Sequence, residues 1–373
     1  MIELWHCDSI FTQPLSPACH LCSKGAKMVV LITGCCPAAC FYCPLSLKKG
    51  GQDVIYADEW KLDSPEDTDI LAKEANLIDA EGAGITGGDP LMVPERTNFF
   101  IEFLKRTYGP SFHIHLYTSG LVNSRKIPDL ADAGLDEIRF HPMPDEWEFM
   151  NSSKISRAIQ SAIDTSMDVA IEIPVLPGMD KQIISLIHWA DDHQINWVNL
   201  NELEFSERNE IQLRKRKMTE KHDISAAVNQ SQETAYRIIE NIDTKNLDVG
   251  VHYCSSSFKD AIQLKNRMRR RAENIKTNLD YITDDATILK GIIKHSNKDR
   301  IQSLLAQLIK THGLTKKDYI LNTPFTMQIS ISLLEKIAED LVNKGFSCYI
   351  SEQYPTQDQL EVERIPLPNK YDK

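Results

Sequence analysis

From residue 27 to about 205 the chain alternates between two hydrophobic rhythms. Short β-rich runs, apolar throughout or at every second position, occur at 27–33 (KMVVLIT), 83–86 (AGIT), 112–118 (FHIHLYT), 136–141 (DEIRFH), 168–175 (DVAIEIPV) and 196–203 (NWVNLNEL). Between them, helix-like patterns fill 66–81, 95–107, 124–134, 152–165 and 180–193. The first rhythm predicts strands and the second helices. Strand, helix, strand at this spacing builds βαβ units and a parallel sheet. Six units in series predict an α/β fold, a partial (β/α)6 TIM-like barrel, with an open doubly wound sheet as the alternative.

The polar positions within the strands favour the barrel. Strand residues alternate between faces. One set is apolar: Ile114, Leu116, Ile138, Phe140, Ile171, Ile173, Val198 and Leu200. The other is polar, with His113, His115 and Tyr117, then Arg139 and His141, then Glu172, then Asn199 and Asn201. A parallel sheet covered on both sides is apolar on both faces. A sheet with one polar face suits an incomplete barrel that holds a ligand, whose chemistry sits at the C-terminal strand ends.

The remaining sequence divides into three parts. Residues 1–26 form a cysteine-containing arm, and 206–280 a helical, locally basic extension in which LDVGVHYC (247–254) resembles one more strand. Beyond a polar stretch near 280, residues 281–373 read as β-α-β-α-β-β, a small C-terminal α+β domain. The formal net charge of −11 argues against a nucleic-acid-coated protein. No apolar run approaches the roughly 20 residues of a membrane span. The first ten residues lack the features of a secretory leader, so a cytoplasmic location is expected.

Nine cysteines change the picture, because seven of them lie in the first 43 residues. In a cytosolic chain such crowding points to metal or cluster ligation rather than disulfides. Cys36, Cys40 and Cys43 are spaced C-x3-C-x2-C directly after the first strand. Three thiolates can hold three irons of a [4Fe–4S] cluster and leave the fourth iron open, as a catalytic centre requires. Cys35 would give C-x4-C and is read as a bystander. Tyr42 precedes the last cysteine, where its face can lie against a flat ligand.

This stretch resembles the CxxxCxΦC motif of the radical SAM superfamily, with Tyr42 as the aromatic Φ. TGGDP (86–90), after the second strand, is similar to that family's Gly-Gly-Glu motif, with Asp89 in place of Glu. The resemblance covers about residues 27–205. CFYCPLS, ITGGDP, FHIHLYTSG and DEIRFHP are further similar to archaeal proteins related to pyruvate formate-lyase activating enzymes. The resemblance implies a [4Fe–4S] cluster and S-adenosylmethionine, whose reductive cleavage yields a 5′-deoxyadenosyl radical that abstracts hydrogen from a substrate. It also implies ferredoxin or flavodoxin as electron donor. On this reading Gly87 and Gly88 let backbone approach the methionyl group, and Asp89 accepts from its ammonium. Thr118, Ser119, Arg139 and His141 are candidates for the ribose or carboxylate. Glu172, Asn199 and Asn201 are weaker candidates, and VLPG (175–178) would pass beside the adenine.

Two features lie outside that motif set. Cys19 and Cys22 form a C-x2-C that, with Cys7 and Cys254, could close an auxiliary zinc or iron–sulfur site, with His6, His20 and His252 as substitute ligands. Cys348 reads as core. Basic runs at Arg214–Lys217 and Arg267–Arg271 could contact phosphates, with Lys259, Gln263, Arg267 and Arg270 or Arg271 on one helix face, although a solvated face is favoured. The basic runs and the extra α+β domain suggest RNA as substrate, the activating-enzyme resemblance implies a protein or peptide, and a nucleotide-derived metabolite is a further alternative. The competing class is an iron–sulfur electron carrier or a zinc-stabilised interaction protein, disfavoured by the missing fourth cysteine and by TGGDP.

Overall fold

A computed structural model describes residues 2–222, 225–243 and 247–368. Two compact units divide between Leu264 and Lys265, inside the segment 206–280 that the sequence pattern kept together. The strands of the first unit are β1 (Ile2–Leu4), β2 (Ile10–Thr12), β3 (Lys27–Thr33), β4 (Ile55–Ala57), β5 (Trp60–Leu62), β6 (Gly82–Gly87), β7 (His113–Thr118), β8 (Glu137–Phe140), β9 (Asp168–Val175), β10 (Trp197–Glu202) and β11 (Gly250–Cys254). They form one sheet in the order β1-β2-β11-β10-β9-β8-β7-β6-β3-β4-β5. The run from β3 through β6 to β11 is parallel throughout. All six expected strands are present in this partial barrel, and β11 adds a seventh. Antiparallel hairpins extend both edges.

The helices of this unit are α1 (Pro17–Ser23), α2 (Thr68–Leu77), α3 (Pro94–Tyr108), α4 (Ile127–Asp132), α5 (Ser156–Ile163), α6 (Asp180–Asp192), α7 (Glu210–Lys215), α8 (Ser231–Asp243) and the short α9 (Ser256–Phe258). Local chemistry sets the ends of α3. Pro94 occupies its first turn beside Glu95, Lys105 and Arg106 fill the last, and Gly109 follows at φ +88°. Phe100, Ile101 and Leu104 recur at helical spacing and are fully buried. The apolar strand set, from Ile114 to Leu200, is likewise fully buried, at about 1.5–3 kcal/mol for each large side chain.

The polar face is filled from within by α1. Ser16 accepts from the Ala18 N–H at 3.1 Å and donates to Glu137 Oε2 at 2.7 Å. Arg139 pairs with Glu137 through Nε at 2.6 Å and with Glu172 through Nη1 at 2.6 Å. It also donates to Ser16 Oγ at 3.2 Å and to Cys19 Sγ at 3.6 Å. Residues 2–26 are thus built into the barrel unit, through β1–β2 at its edge and α1 against its inner face.

The second unit contains α10 (Lys265–Ile275), β12 (Tyr281–Ile282), β13 (Ile288–Lys294), α11 (Lys298–His312), β14 (Tyr319–Thr323), β15 (Thr326–Ile329), α12 (Ile331–Asn343), β16 (Ser347–Gln353) and β17 (Glu361–Leu367). Its antiparallel sheet runs β14-β15-β13-β16-β17, with β12 on β13. The core includes Ile293, Ile301, Met327, Leu334 and Cys348. Strand β15 is additional to the β-α-β-α-β-β order read from the sequence.

Burial holds several barrel histidines neutral: it lowers His113 to about 4, His115 well below its usual value, and His141 in the same direction. An unfolded histidine protonates below about pH 6.5. The native state therefore binds fewer protons in acid, and stability falls as pH drops from about 6.5 towards about 4. Urea midpoints should be flat above about pH 7 and decline below about pH 6; a midpoint independent of pH in that window contradicts this account.

Candidate functional site

The cysteine loop leaves β3 at Thr33. Its base is closed by Gly34 N–H donating to Gln52 C=O at 2.8 Å and Gly51 N–H donating to Gly34 C=O at 2.7 Å. Thr33 Oγ1 donates to Asp53 at 2.9 Å, and Arg96 joins Asp53 in two bonds of 2.7 and 3.0 Å while donating to Ile32 C=O. This fork, which the sequence pattern did not reveal, fixes where the strand ends and the loop begins.

The TGGDP turn at the end of β6 presses against the same base. Gly88 N–H donates to Thr33 C=O at 2.7 Å and Asp89 N–H to Cys35 C=O at 2.8 Å. A Cβ on Gly87 would lie 2.2 Å from the Thr33 oxygen, and one on Gly88 2.1 Å from the Cys35 oxygen. Gly87 is also at φ +145°. The glycine pair thus permits backbone-to-backbone contact between the turn and the cysteine loop.

Asp89 is completely buried, and its carboxylate is already engaged. Oδ1 accepts from Leu91 N–H at 3.0 Å and Thr118 Oγ1 at 2.8 Å; Oδ2 accepts from Ser119 N–H at 3.0 Å and Ser119 Oγ at 2.5 Å. Four donors match the roughly four lone-pair sites of a carboxylate. The expected contact with a methionyl ammonium therefore finds no free acceptor, and the Thr118 and Ser119 hydroxyls face Asp89 rather than a ribose. The shorter Asp side chain ties TGGDP to the end of β7.

Tyr42 is similarly inward. It is 4% exposed, and its hydroxyl lies 2.8 Å from His141 Nε2. His141 Nδ1 lies 2.7 Å from Glu172 C=O, which can only accept, so Nδ1 carries the proton and Nε2 accepts from Tyr42. Burial lowers His141, consistent with that neutral tautomer. Asn209, 1% exposed, donates to the Tyr42 C=O at 3.0 Å. The aromatic residue between the cysteines anchors the loop to β8, β9 and the segment after β10. Arg139, expected at a carboxylate or ribose, is held by Glu137 and Glu172, whose charges keep it protonated against the penalty of burial. Asn199 and Asn201 donate to Glu172 at 3.4 and 2.7 Å.

None of the three thiols is tied up in a disulfide. All nine cysteines are unbridged; Cys36 is exposed, and Cys40 and Cys43 are half-buried. Ala38 N–H donates to Cys36 Sγ at 3.4 Å, and Cys40 Sγ meets Met143 Sδ at 3.5 Å. Burial raises Cys40 and pushes Cys36 up to about 11, so both are protonated near neutrality and a metal must displace those protons. Among the described residues no three His, Cys, Asp or Glu side chains are drawn into a ligand set. The donor chemistry nonetheless fits a cluster with one open iron. The loop offers three free thiols, and its nearest carboxylate, Asp89, has no lone pair to give. Cys35 is tied down by its backbone at the TGGDP contact.

A parallel partial barrel with three free thiols on the loop leaving its first strand is the frame of an iron–sulfur enzyme. Residues 30–190 match the model of the radical SAM superfamily. Residues 286–367 match a domain of unknown function, DUF8061. The chain is 38% identical over 364 residues to a Methanocaldococcus jannaschii protein provisionally named a glycyl-radical enzyme activating enzyme, covering 95% of this chain and 94% of that one. It therefore belongs to the radical SAM superfamily and is an enzyme of that family, whose cofactors are a [4Fe–4S] cluster and S-adenosylmethionine. Among solved structures it is similar to Streptococcus suis SuiB, at 13% identity and a TM-score of 0.44, covering 61% of this chain and 48% of SuiB. The FeFe-hydrogenase maturase HydG of Carboxydothermus hydrogenoformans is similar at 11% identity and a TM-score of 0.39, covering 77% of this chain and 69% of HydG. The chain thus spans about half the length of SuiB.

Asp89→Asn places an NH2 group against donors and should destabilise the barrel unit by about 1–3 kcal/mol in urea unfolding. Reconstituted iron should also be retained less well. A variant with native stability but a weakened affinity for S-adenosylmethionine would instead show that Asp89 contacts the cofactor.

Proposed function

We propose that Cys36, Cys40 and Cys43 ligate the cluster and that the substrate of this enzyme is a polypeptide. The observation that carries the first part is the free three-thiol loop braced on the TGGDP turn. When bound, the cluster and S-adenosylmethionine supply a 5′-deoxyadenosyl radical, a hydrogen-abstracting species, with the electron drawn from ferredoxin or flavodoxin. Around that chemistry the chain positions and shields. Gly87 and Gly88 keep the turn close to the loop, Asp89 holds the turn on β7, and Tyr42 fixes the loop's far side through His141. Backbone carbonyls at this junction, rather than the Asp89, Thr118 or Arg139 side chains, are then the acceptors offered to a methionyl ammonium.

Support for a polypeptide substrate comes from the segments that follow the C-terminal strand ends. Leu47, Met92, Phe149, Ile211 and Leu264 follow β3, β6, β8, β10 and β11, and all are exposed, Phe149 at 65% and Ile211 at 66%. Exposed apolar side chains on five separate segments beyond the strand ends suit an apolar protein surface. The Methanocaldococcus relative's name, an activating enzyme, points the same way. The basic runs give RNA less support. Arg214 pairs with Glu210 at 2.8 Å and with Glu220, and Arg216 lies 3.9 Å over the Phe41 ring. In the second unit, Arg269 donates to the Asp284 C=O at 2.8 Å, and buried Arg271 donates to the Pro355 C=O.

The test is anaerobic. Reduced, reconstituted protein should release 5′-deoxyadenosine from S-adenosylmethionine, and Cys36→Ala, Cys40→Ala or Cys43→Ala should each abolish release. With protein partners from the source cell, release should rise and leave a carbon-centred radical visible by electron paramagnetic resonance. No cleavage by cluster-loaded protein overturns the ligand assignment, and stimulation by RNA alone overturns the substrate class.

A further inference from the structure

A second group of cysteines, outside the cysteine loop, comprises Cys19 and Cys22 on α1 and Cys254 at the end of β11. Cys19 and Cys22 are one helical turn apart, so they share a face. Cys19 reaches the inner face of the sheet, with its Sγ 3.8 Å from Asn199 Oδ1. Asn199 is the register partner of His252 on the neighbouring strand β11, and Cys254 follows two residues later on the same face. Cys254 lies within electrostatic reach of both Cys19 and Cys22.

His252 is the second, independent observation. It is 3% exposed, yet neither ring nitrogen has a hydrogen-bond partner. Its surroundings are the rings of Trp5 at 5.6 Å and Phe11 at 6.4 Å. A buried imidazole with both nitrogens unsatisfied is costly, and the usual remedies are a hydrogen bond or a metal. The sulfurs also carry donors. Arg139 Nη2 donates to Cys19 Sγ at 3.6 Å and Gln263 Nε2 to Cys254 Sγ at 3.6 Å. N–H donors aimed at sulfur, one of them cationic, are the outer contacts that stabilise metal-bound thiolates.

We propose that Cys19, Cys22, Cys254 and His252 bind a single zinc ion in a closed tetrahedral site. Three sulfurs and one imidazole form a common structural zinc set, and a closed site leaves no position for substrate. The choice of one ion over a second cluster rests on space: Cys19 packs with Phe11, Leu15 and Trp5 in a filled apolar cluster, where a cubane would need a void. Among the described residues these side chains are not drawn into a ligand set, and neither are those of the cysteine loop. Binding would clamp α1 to β11, joining the start of the unit to its last parallel strand. Cys7, whose carbonyl accepts from Ser255 Oγ, lies beside the set and would stay outside it.

The site is tested independently of the radical chemistry. Full-length Cys36→Ala/Cys40→Ala/Cys43→Ala protein, which cannot load the cysteine-loop cluster, should purify with one zinc per chain. Replacing zinc by cobalt(II) should give the intense visible bands of tetrahedral thiolate coordination. Adding Cys19→Ser and Cys22→Ser, or Cys254→Ser alone, should remove both the zinc and the bands. His252→Ala should change the cobalt spectrum, and X-ray absorption on the parent should show three sulfurs and one nitrogen around zinc. Since the parent measurement needs no further variant, poor folding of the others cannot rescue the idea. A parent chain that binds neither zinc nor cobalt, or that holds iron with sulfide here, overturns it.

Discussion

The buried Arg139 guanidinium is the constraint on which the barrel interior turns. It lies 4% exposed on the polar face of β8 and cannot be neutralised, because guanidinium stays protonated at any ordinary pH. Its charge must therefore be met inside the protein. Glu137 meets it on its own strand and Glu172 from β9, while Ser16 and Cys19 bring α1 against it. Losing one partner of such a pair costs about 3–5 kcal/mol, because the other is left charged in a dry interior. Arg139 thus fixes two strands and the N-terminal helix at once. Through Glu172 it adjoins the residue whose carbonyl sets the His141 tautomer, and through His141 the hydroxyl of Tyr42.

That chain of contacts gives the two sequence motifs a more structural reading than their resemblance implied. Tyr42 and Asp89 are both engaged within the protein, Tyr42 with His141 and Asp89 with four donors from the TGGDP turn and the end of β7. One brace grips the loop through the aromatic residue between its last two cysteines; the other grips it through the glycine pair. A cluster held by three sulfurs on a flexible loop would wander. Two anchors on opposite sides of the loop confine it, and the glycines make the second possible by removing every atom that would hold the chains apart.

Much of this architecture was legible in the order of apolar residues. Strands such as DVAIEIPV alternate cleanly because their two faces meet different environments, a packed helix layer and a polar interior. The three cysteines were legible because their spacing is short and local. What could not be read is pairwise and distant. Asp89 meets Ser119 across 30 positions, and Ser16 meets Glu137 across 121. Each of these residues alone looks like a free polar group awaiting a ligand, and only the fold shows that they are each other's partners. Strand β15 escaped for a different reason: at four residues, TMQI is too short for its alternation to stand out from the helix that follows.

The polar lumen illustrates how burial redistributes function among chemical groups. Side chains that look ready for ligand, from Thr118 to Glu172, satisfy one another because a buried polar atom without a partner is expensive. Groups left over after that settlement are the informative ones. At the mouth they are loop thiols and exposed apolar side chains. In the interior they include His252, unmatched at both nitrogens on the strand that also carries Cys254. His115, Trp197, Glu202 and Tyr253 each leave one buried polar atom unmatched on the same sheet, whereas His252 leaves both of its ring nitrogens bare, which is the difference a metal ligand would account for.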